Sequence, residues 1–222
     1  MINIKRALKL NPNLNPSLFL PDPKKVWESL NKTPVKEWLE FISHEHLAKE
    51  SKILLFVPCT PKKPYDPPRD EFHKRLLQLE KEYSVYLVSV SEPLALEPRE
   101  FWNFKWKGFN LIYDAPFFPW IEKYGYKWSK EIAEKVWKKL AKVAGRWYER
   151  NKNKFEYTVA YALPESNYRE ILKYVDATFV PEIKIKEDTS YEENTEKTYL
   201  NPLIWKKLVL SLIHISEPTR PY

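Results

Sequence analysis

A cysteine followed by two lysines is the feature of this sequence best suited to covalent chemistry. Cys59 comes directly after a short apolar run, and Lys62 and Lys63 follow it closely. A nearby cation lowers the pKa of a thiol and favours the nucleophilic thiolate. His73, further along the chain, could also move protons to or from this thiol. The pattern predicts a reactive cysteine, although a free cysteine is also common as a small buried hydrophobe.

Two more charged residues follow predicted strands or extended loops. Asp114 is a candidate for acid–base catalysis or for orienting a ligand, and a turn or helix cap is the alternative. Arg99 could bind a phosphate or pair with Glu100 or Asp114. The loop beginning at Asp114 is rich in aromatic residues and includes Lys123 and Lys127. Such residues could stack on nucleobases or simply pack the loop.

The elements that position these residues alternate between strands and helices. Apolar runs and period-two alternation predict strands at 53–57, 85–90, 109–113, 155–163 and 177–180. Apolar spacing and capping residues predict helices at 35–50, 69–83, 129–150 and 166–174, with further helix starts at Asp22-Pro23 and Asn201-Pro202. Residues 1–22, rich in Asn and Pro, are predicted to form an extended arm.

This alternation indicates an α/β fold with a mainly parallel sheet that is covered on both faces. Ligands of such sheets lie beyond the carboxyl ends of the strands. The loops 58–68, 91–99 and 114–128 are therefore the predicted site. Domain boundaries are expected after residues 50, 185 and 209: an N-terminal arm with helices, the α/β domain at 51–185, and an acidic loop that leads into a final helix.

Composition narrows the function classes. The 222 residues carry 37 Lys and Arg against 30 Asp and Glu, a net charge of +7. Such a charge suits a nucleic acid partner, or it serves solubility alone. A single cysteine allows no intrachain disulfide, and no Cys/His cluster has metal-ligand spacing. No cofactor, no membrane span and a cytoplasmic location are expected. High Lys, Glu and Pro content with only 3 Gly fits a thermophile.

The C-terminal segment 210–221 has the sequence LSLIHISEPTRP. It resembles the translation of a transposase-type sequencing adapter, so we expect the natural sequence to diverge near Val209. A terminal strand over 212–215 is the alternative, because that stretch has strand composition.

Three ordered motifs resemble the central domain of archaeosine synthase, a family related to archaeal tRNA-guanine transglycosylase. The first is Pro58-Cys59, three residues, then Lys63-Pro64-Tyr65. The second, residues 91–100, is similar to the family pattern S-x-P-L-G-x-x-P-R-E. The third is Tyr113-Asp114-x-Pro116 followed by Gly125-x-x-Trp128. The resemblance covers about residues 52–180.

The resemblance implies a three-layer α/β fold similar to that of uracil-DNA glycosylases. It also implies a reaction that adds the amine of free lysine to the nitrile of 7-cyano-7-deazaguanine in tRNA, without a nucleotide cofactor. Cys59 would be the nucleophile, Lys63 or His73 would stabilise the thiolate and move protons, and Asp114 would orient the base or the amine. The substrate-binding residues would be Lys62, Tyr65, Arg69, Arg99 and Trp128. Direct attack by lysine, without a covalent step, is the alternative mechanism.

The chain departs from the family signature at three positions. Pro68 and Glu71 stand where the signature has Ser and His, with His73 two residues late, and Ala95 replaces a glycine. Two other functions therefore stay open. One is a non-catalytic tRNA-binding subunit that acts with a separate transglycosylase; the other is a base-recognising hydrolase on the same fold.

Overall fold

The computed structural model describes residues 2–183 and 194–216. The strands in these residues are β1 (Ile53–Pro58), β2 (Val85–Ser91), β3 (Ala95–Pro98), β4 (Lys105–Trp106), β5 (Phe109–Asn110), β6 (Tyr157–Tyr161) and β7 (Thr178–Val180). The α-helices are α1 (Ile4–Leu10), α2 (Pro23–Ser29), α3 (Val35–His44), α4 (Glu71–Glu82), α5 (Lys130–Asn151), α6 (Asn167–Ile171), α7 (Asn194–Tyr199) and α8 (Pro202–Ser216).

A five-stranded sheet in the order β3-β2-β1-β6-β7 forms the centre of the fold. Every neighbouring pair is parallel except β2 with β3. The predicted α/β class with a mainly parallel sheet is therefore confirmed. The closer likeness to uracil-DNA glycosylases stays a prediction.

The two central strands β1 and β2 are buried along their whole length, which is why their sequences are continuous apolar runs. Their register pairs Ile53 with Val85 and Pro58 with Val90. The ladder extends one residue further, because the Cys59 amide donates to the carbonyl of Val90 at 3.1 Å. The register therefore brings the ends of both strands, and the loops that follow them, to one edge of the sheet.

Helices cover both faces of this sheet. Phe56 of β1 contacts Trp147 of α5, with ring centroids 6.0 Å apart. Phe56 pairs with Ala160, so the next residue of β6, Tyr161, lies on the opposite face. On that face Tyr161 contacts Phe72 of α4, at 6.3 Å. The helices α5 and α4 thus form the outer layers of a three-layer fold.

The predicted extended arm at 1–22 is wrong. Asn3 caps the short helix α1 by accepting from the Arg6 amide at 2.9 Å, and Asn15 caps a single 3-10 turn at Pro16–Leu18. Leu18 and Leu20 are buried, and their backbone groups pair with those of Asp114. The Asn and Pro residues in this segment therefore start helical turns that pack onto the domain.

Two predictions near the sheet edge are also wrong. The loop 91–99 contains β3, which returns antiparallel to β2, and the predicted strand 109–113 is reduced to β5 in a hairpin with β4. Ala95 begins β3 with a φ of 60°, in the left-handed region. That region favours glycine, which gives a physical reason for the glycine in the family pattern.

Several helices are shorter than predicted, whereas their starts are confirmed. Asp22 caps α2 and Ser129 caps α5. The helix α3 ends at His44 rather than near 50, and α6 ends at Ile171 rather than 174. The predicted acidic loop 187–196 lies mostly outside the described residues, and its end belongs to α7. The alternative of a strand at 212–215 is wrong, because α8 continues to Ser216.

A glycine fixes the contact between α5 and the segment after α6. A Cβ atom at Gly145 would lie 2.8 Å from the Cβ of Tyr174. We expect Gly145→Ala to lower the free energy of unfolding by about 1–3 kcal/mol, because the overlap involves a rigid atom. Urea denaturation measures this change. Lys142→Ala, at an exposed position of the same helix, should shift it by less than about 0.5 kcal/mol. A gain of about 1 kcal/mol in Gly145→Ala, as helix propensity alone predicts, would contradict the close contact.

Candidate active site

A small cavity lies where β1 and β2 end, in the region that the strand order predicts for a ligand. Its volume is about 30 Å³, which is room for roughly two water-sized groups. The residues that line it are Cys59, Thr60, Pro61, Lys63, Glu92, Tyr113, Ala115, Phe117, Phe118, Asn167, Tyr168 and Thr195. A thiol, an amine and a carboxyl group therefore share one enclosure.

Cys59 is partly exposed, and its Sγ lies 3.7 Å from the Tyr168 hydroxyl. Burial raises the pKa of the thiol to about 12, and the nearby Lys63 offsets only part of this shift. This direction is opposite to the lowered thiol pKa that the neighbouring lysines predict, and a thiol with so high a pKa needs a base before it can act as a nucleophile.

Lys63 is 2 % exposed, which is unusual for a lysine. Its Nζ donates to the Thr60 carbonyl at 2.8 Å and lies 3.8 Å from the centre of the Tyr113 ring. Burial lowers the pKa of this amine, while the charges of Cys59 and Glu97 oppose the shift. A lysine with a lowered pKa beside a protonated thiol is suited to accept the thiol proton.

Asn11, after α1, holds the loop that carries Lys63. Its Oδ1 accepts from the Lys63 amide at 2.8 Å, and its Nδ2 donates to the Pro61 carbonyl at 2.8 Å. Arg69 adds a bond from its guanidinium to the Lys63 carbonyl at 2.6 Å and another to Asn11 Oδ1 at 3.2 Å. The expected phosphate-binding residue Arg69 therefore fixes the backbone of the site.

Glu92 is a cavity residue that the sequence analysis did not select. It is 3 % exposed, and its carboxylate accepts from Trp137 Nε1 at 2.7 Å and from Asn167 Nδ2 at 2.9 and 3.1 Å. Burial raises its pKa to about 7, although the hydrogen bonds from Asn167 and Trp137 act to lower it. The group can therefore accept or release a proton near neutral pH.

His73 lies behind the cavity wall. Its ring stacks on Tyr65, with centroids 3.7 Å apart, and its Nδ1 contacts Asp70 Oδ1 at 3.0 Å. Thr60 donates to the same carboxylate at 2.6 Å. Burial acts to raise the pKa of Asp70, but the bonds from His73 outweigh burial and hold it below its usual value. Neither His73 nor Tyr65 lines the cavity, so direct action on Cys59 or on a ligand there is not supported.

Asp114 and Trp128 also lie outside the cavity lining. Asp114 is buried and its backbone pairs with Leu18 and Leu20, while its neighbours Tyr113 and Ala115 reach the cavity. The charge of Asp114 still acts on Lys63. Trp128 packs edge-on against Phe117 at 5.5 Å and so supports the wall.

The remaining two expected phosphate ligands already have protein partners. Arg99 bonds Asp66 at 2.8 Å and Glu80 at 3.1 Å. Lys62 lies 3.8 Å from a carboxylate oxygen of Glu196. The structure thus gives Arg99 and Lys62 ion-pair partners within the fold.

The segment after β6 supplies two cavity residues that the sequence did not predict. Asn167 and Tyr168 belong to α6, which follows the carboxyl end of β6. Since β6 is parallel to β1, the rule that selects the loops after β1 and β2 selects this one as well. Glu92 lies in the loop 91–99, which the sequence predicts as part of the site. A glutamate next to a proline, however, gives no sign in the sequence that it is buried.

The cavity brings the Cys59 thiol and the Lys63 amine together, an arrangement suited to addition of the thiol to a small electrophile. No group of three or more His, Cys, Asp or Glu side chains suited to a metal ion occurs among the described residues. None of the helices in the described ranges is long and apolar enough to span a membrane.

Comparison with known proteins gives one family match. Residues 35–117 match the model for a domain of unknown function, DUF5591. The matched segment runs from α3 to the cavity wall and includes Cys59, Lys63 and Glu92, whereas α6 lies outside it. No curated protein and no solved structure matches the chain.

The resting state of Cys59 can be tested by alkylation. Because the pKa is about 12, we expect the rate with iodoacetamide to rise with pH without a plateau between pH 8 and 9. Lys63→Met should slow alkylation further, since Lys63 lowers the pKa of the thiol. The urea-unfolded chain, in which the thiol titrates near its usual value of about 8.5, is the control. An inflection below 8.5 in the folded protein would contradict the buried, protonated thiol.

Proposed function

We propose that this chain adds the amine of free lysine to the nitrile of 7-cyano-7-deazaguanine in tRNA, as the resemblance to archaeosine synthase implies. The observation that carries the proposal is the cavity in which Cys59 and Lys63 meet. Both belong to the motif Pro58-Cys59, three residues, Lys63-Pro64-Tyr65. The DUF5591 match contributes no activity to this inference.

The first step uses the Cys59 thiol and the Lys63 amine in its deprotonated form, which the lowered pKa of Lys63 favours. Lys63 takes the proton of the Cys59 thiol as the sulfur adds to the nitrile carbon. A carbon–sulfur bond forms, one π bond of the nitrile breaks, and the proton passes from Lys63 to the nitrile nitrogen. The product is a thioimidate on Cys59. An amine then displaces the sulfur, so a carbon–nitrogen bond forms, the carbon–sulfur bond breaks, and the thiol is regenerated.

The size of the cavity supports a nitrile as the electrophile. A volume of about 30 Å³ accepts a linear, two-atom group but not a nucleobase, which would remain at the rim. Phe118 and Thr195 are partly exposed lining residues there. An aromatic face at the rim is suited to a flat base.

The departures from the family signature do not reach the cavity. Glu71 begins α4, where its side chain pairs with Arg75 at 3.2 Å, and neither Glu71 nor Pro68 is a lining residue. His73 stacks on Tyr65 and likewise does not line the cavity. The substitutions therefore leave the thiol, the amine and the carboxyl group of the cavity in place.

A row of cations on α5 is our candidate for the tRNA backbone. Lys138, Lys142, Arg146 and Arg150 are exposed and recur every four residues, which places them along one side of the helix. Within the described residues, the structure records no ion pair for these four. The last three line an open groove of about 640 Å³ with Tyr174, which is half exposed.

Replacement of the nucleophile tests the reaction. We expect Cys59→Ser to reduce lysine addition at least about a thousandfold, while tRNA affinity stays within about twofold. The assay follows the mass of the modified nucleoside after incubation of nitrile-bearing tRNA with lysine. Unchanged activity of Cys59→Ser would support direct attack by lysine instead.

The same assay separates the two other functions. A wild-type chain that binds the tRNA but forms no lysine adduct would be a non-catalytic subunit, which could act with a separate transglycosylase. Release of the free base from tRNA would identify a hydrolase. Either result would reject lysine addition.

The α5 row predicts electrostatic binding of tRNA. Each neutralised phosphate contributes about −0.7 to −0.9 to the slope of log affinity against log salt. We therefore expect Lys142→Gln/Arg146→Gln to make the slope shallower by about 1.4–1.8, as measured by fluorescence anisotropy at several salt concentrations.

A control variant should separate local contacts from net charge. Lys105 and Lys207 are exposed on β4 and α8, and Lys105→Gln/Lys207→Gln removes the same net charge. Its slope should equal that of the wild type. Equal slopes for both variants and the wild type would show that the α5 row does not bind phosphates.

A further inference from the structure

We propose that Glu92 and Asn167 form a subsite for the ammonium group of the amine co-substrate, an inference that rests on the proposed function for the identity of that amine. Both residues line the cavity that contains Cys59. Asn167 Nδ2 donates to both carboxylate oxygens of Glu92, and Trp137 Nε1 donates to one of them. The carboxylate is therefore held in one orientation at the wall of the enclosure.

The partners of Glu92 within the protein are neutral. Among the described residues no Lys, Arg or His lies within ion-pair distance of it, and its recorded hydrogen-bond donors are an indole and an amide. A buried carboxylate is stable as an anion only when charges or several donors compensate its lost hydration. Lys63 supplies part of this compensation to Glu97. A cation that enters the cavity would supply it to Glu92.

The size and the walls of the cavity fit the end of an alkylammonium chain. An ammonium group is about the size of a water molecule, and the enclosure holds roughly two such groups. One of these two places would hold the nitrile, and the other would hold the ammonium group. Phe117, Phe118 and Ala115 give the wall an apolar part that suits the methylene groups behind the charge.

Glu92 would also move the proton that the transfer step requires. The amine arrives as an ammonium ion, which has no free electron pair and must lose a proton before it attacks. Glu92 takes that proton, the nitrogen adds to the thioimidate carbon, and the carbon–sulfur bond breaks. A second proton moves from the attacking nitrogen to the imine nitrogen, which gives an amidinium ion. The proton held by Glu92 passes to the departing thiolate and restores both groups.

The other groups that face Glu92 suit this role. Tyr168 of α6 and Cys59 after β1 lie close enough for its charge to act on them, and Glu97 of β3 raises the pKa of Glu92 by like-charge repulsion. Trp137 of α5 and Asn167 of α6 are uncharged. Tyr168 and Cys59 stay protonated at neutral pH, and Lys63, which lines the same cavity, has a lowered pKa. Glu92, with a pKa of about 7, is the carboxyl group of the cavity lining that titrates near neutral pH.

Binding of the amine can be measured without the reaction. The indole N–H of Trp137 donates to Glu92, so its ¹⁵N–¹H resonance reports on the carboxylate. We expect methylammonium chloride and free lysine to shift this resonance in the wild type, relative to sodium chloride at equal ionic strength. Glu92→Gln is isosteric and keeps an acceptor for Trp137. In this variant the amine-dependent shift should disappear.

Kinetics then test the proton transfer. In Glu92→Gln we expect kcat/KM for lysine to fall about 100-fold, with the thioimidate accumulating on Cys59 as a covalent adduct seen by mass spectrometry. The rate of amine transfer in the wild type should rise with an inflection near pH 7, and this inflection should be absent in the variant. Glu170→Gln removes an exposed glutamate of α6 that does not line the cavity. Its KM for lysine should stay within about threefold of the wild type.

The outcomes separate this inference from the proposed function. Amine-dependent shifts without lysine addition by the wild type would support the subsite and reject the reaction. Lysine addition by the wild type with unchanged kinetics in Glu92→Gln would reject the subsite and keep the reaction. If Glu92→Gln does not fold, Asn167→Ala takes its place, and an unchanged KM for lysine in that variant would overturn the proposal.

Discussion

The burial of one lysine amine is the constraint on which the site depends. Lys63 Nζ lies inside the protein, bonded to the Thr60 carbonyl and placed over the Tyr113 ring. The carboxylates that act on its pKa are those of Glu97, Asp114 and Asp70, which belong to three different segments. Asn11 and Arg69 hold the backbone of the same residue from outside. The N-terminal segment, the motif loop and the sheet edge are therefore coupled through a single residue.

Burial also determines the direction in which the pKa values of Cys59 and Lys63 shift, which the motif alone does not settle. A cation four residues from a cysteine predicts a lowered thiol pKa, and Lys63 does act in that direction. Desolvation is the larger effect on the pKa of both groups, because burial disfavours their charged forms. The pair therefore rests as a thiol and an amine with a lowered pKa. The charged pair becomes favourable only when the proton transfer is coupled to attack on an electrophile.

The sequence predicts the elements whose pattern is local and leaves out those that depend on distant contacts. The runs at Ile53 and Val85, and the capped helix after Ser129, have one-dimensional signals and were placed within a few residues. By contrast, β3 depends on a chain reversal and a left-handed residue at Ala95, and the order in residues 2–22 depends on pairing with Asp114. Of the predicted site, the structure brings Cys59 and Lys63 to the cavity. Glu92 and Asn167 meet only because β2 and β6 flank β1.

The raised pKa of the Cys59 thiol has a consequence for how such a site can select its substrates. A cavity with a permanent thiolate would react with any electrophile that entered, whereas a protonated thiol reacts only with a group that can take up the proton as the bond forms. A nitrile has that property, because its nitrogen becomes basic when sulfur adds to the carbon. In the proposed subsite, Glu92, whose hydrogen-bond donors Trp137 and Asn167 are neutral, would favour a cationic second substrate over water. Desolvation raises the pKa of both Cys59 and Glu92, so both selections would follow from burial at the end of β1.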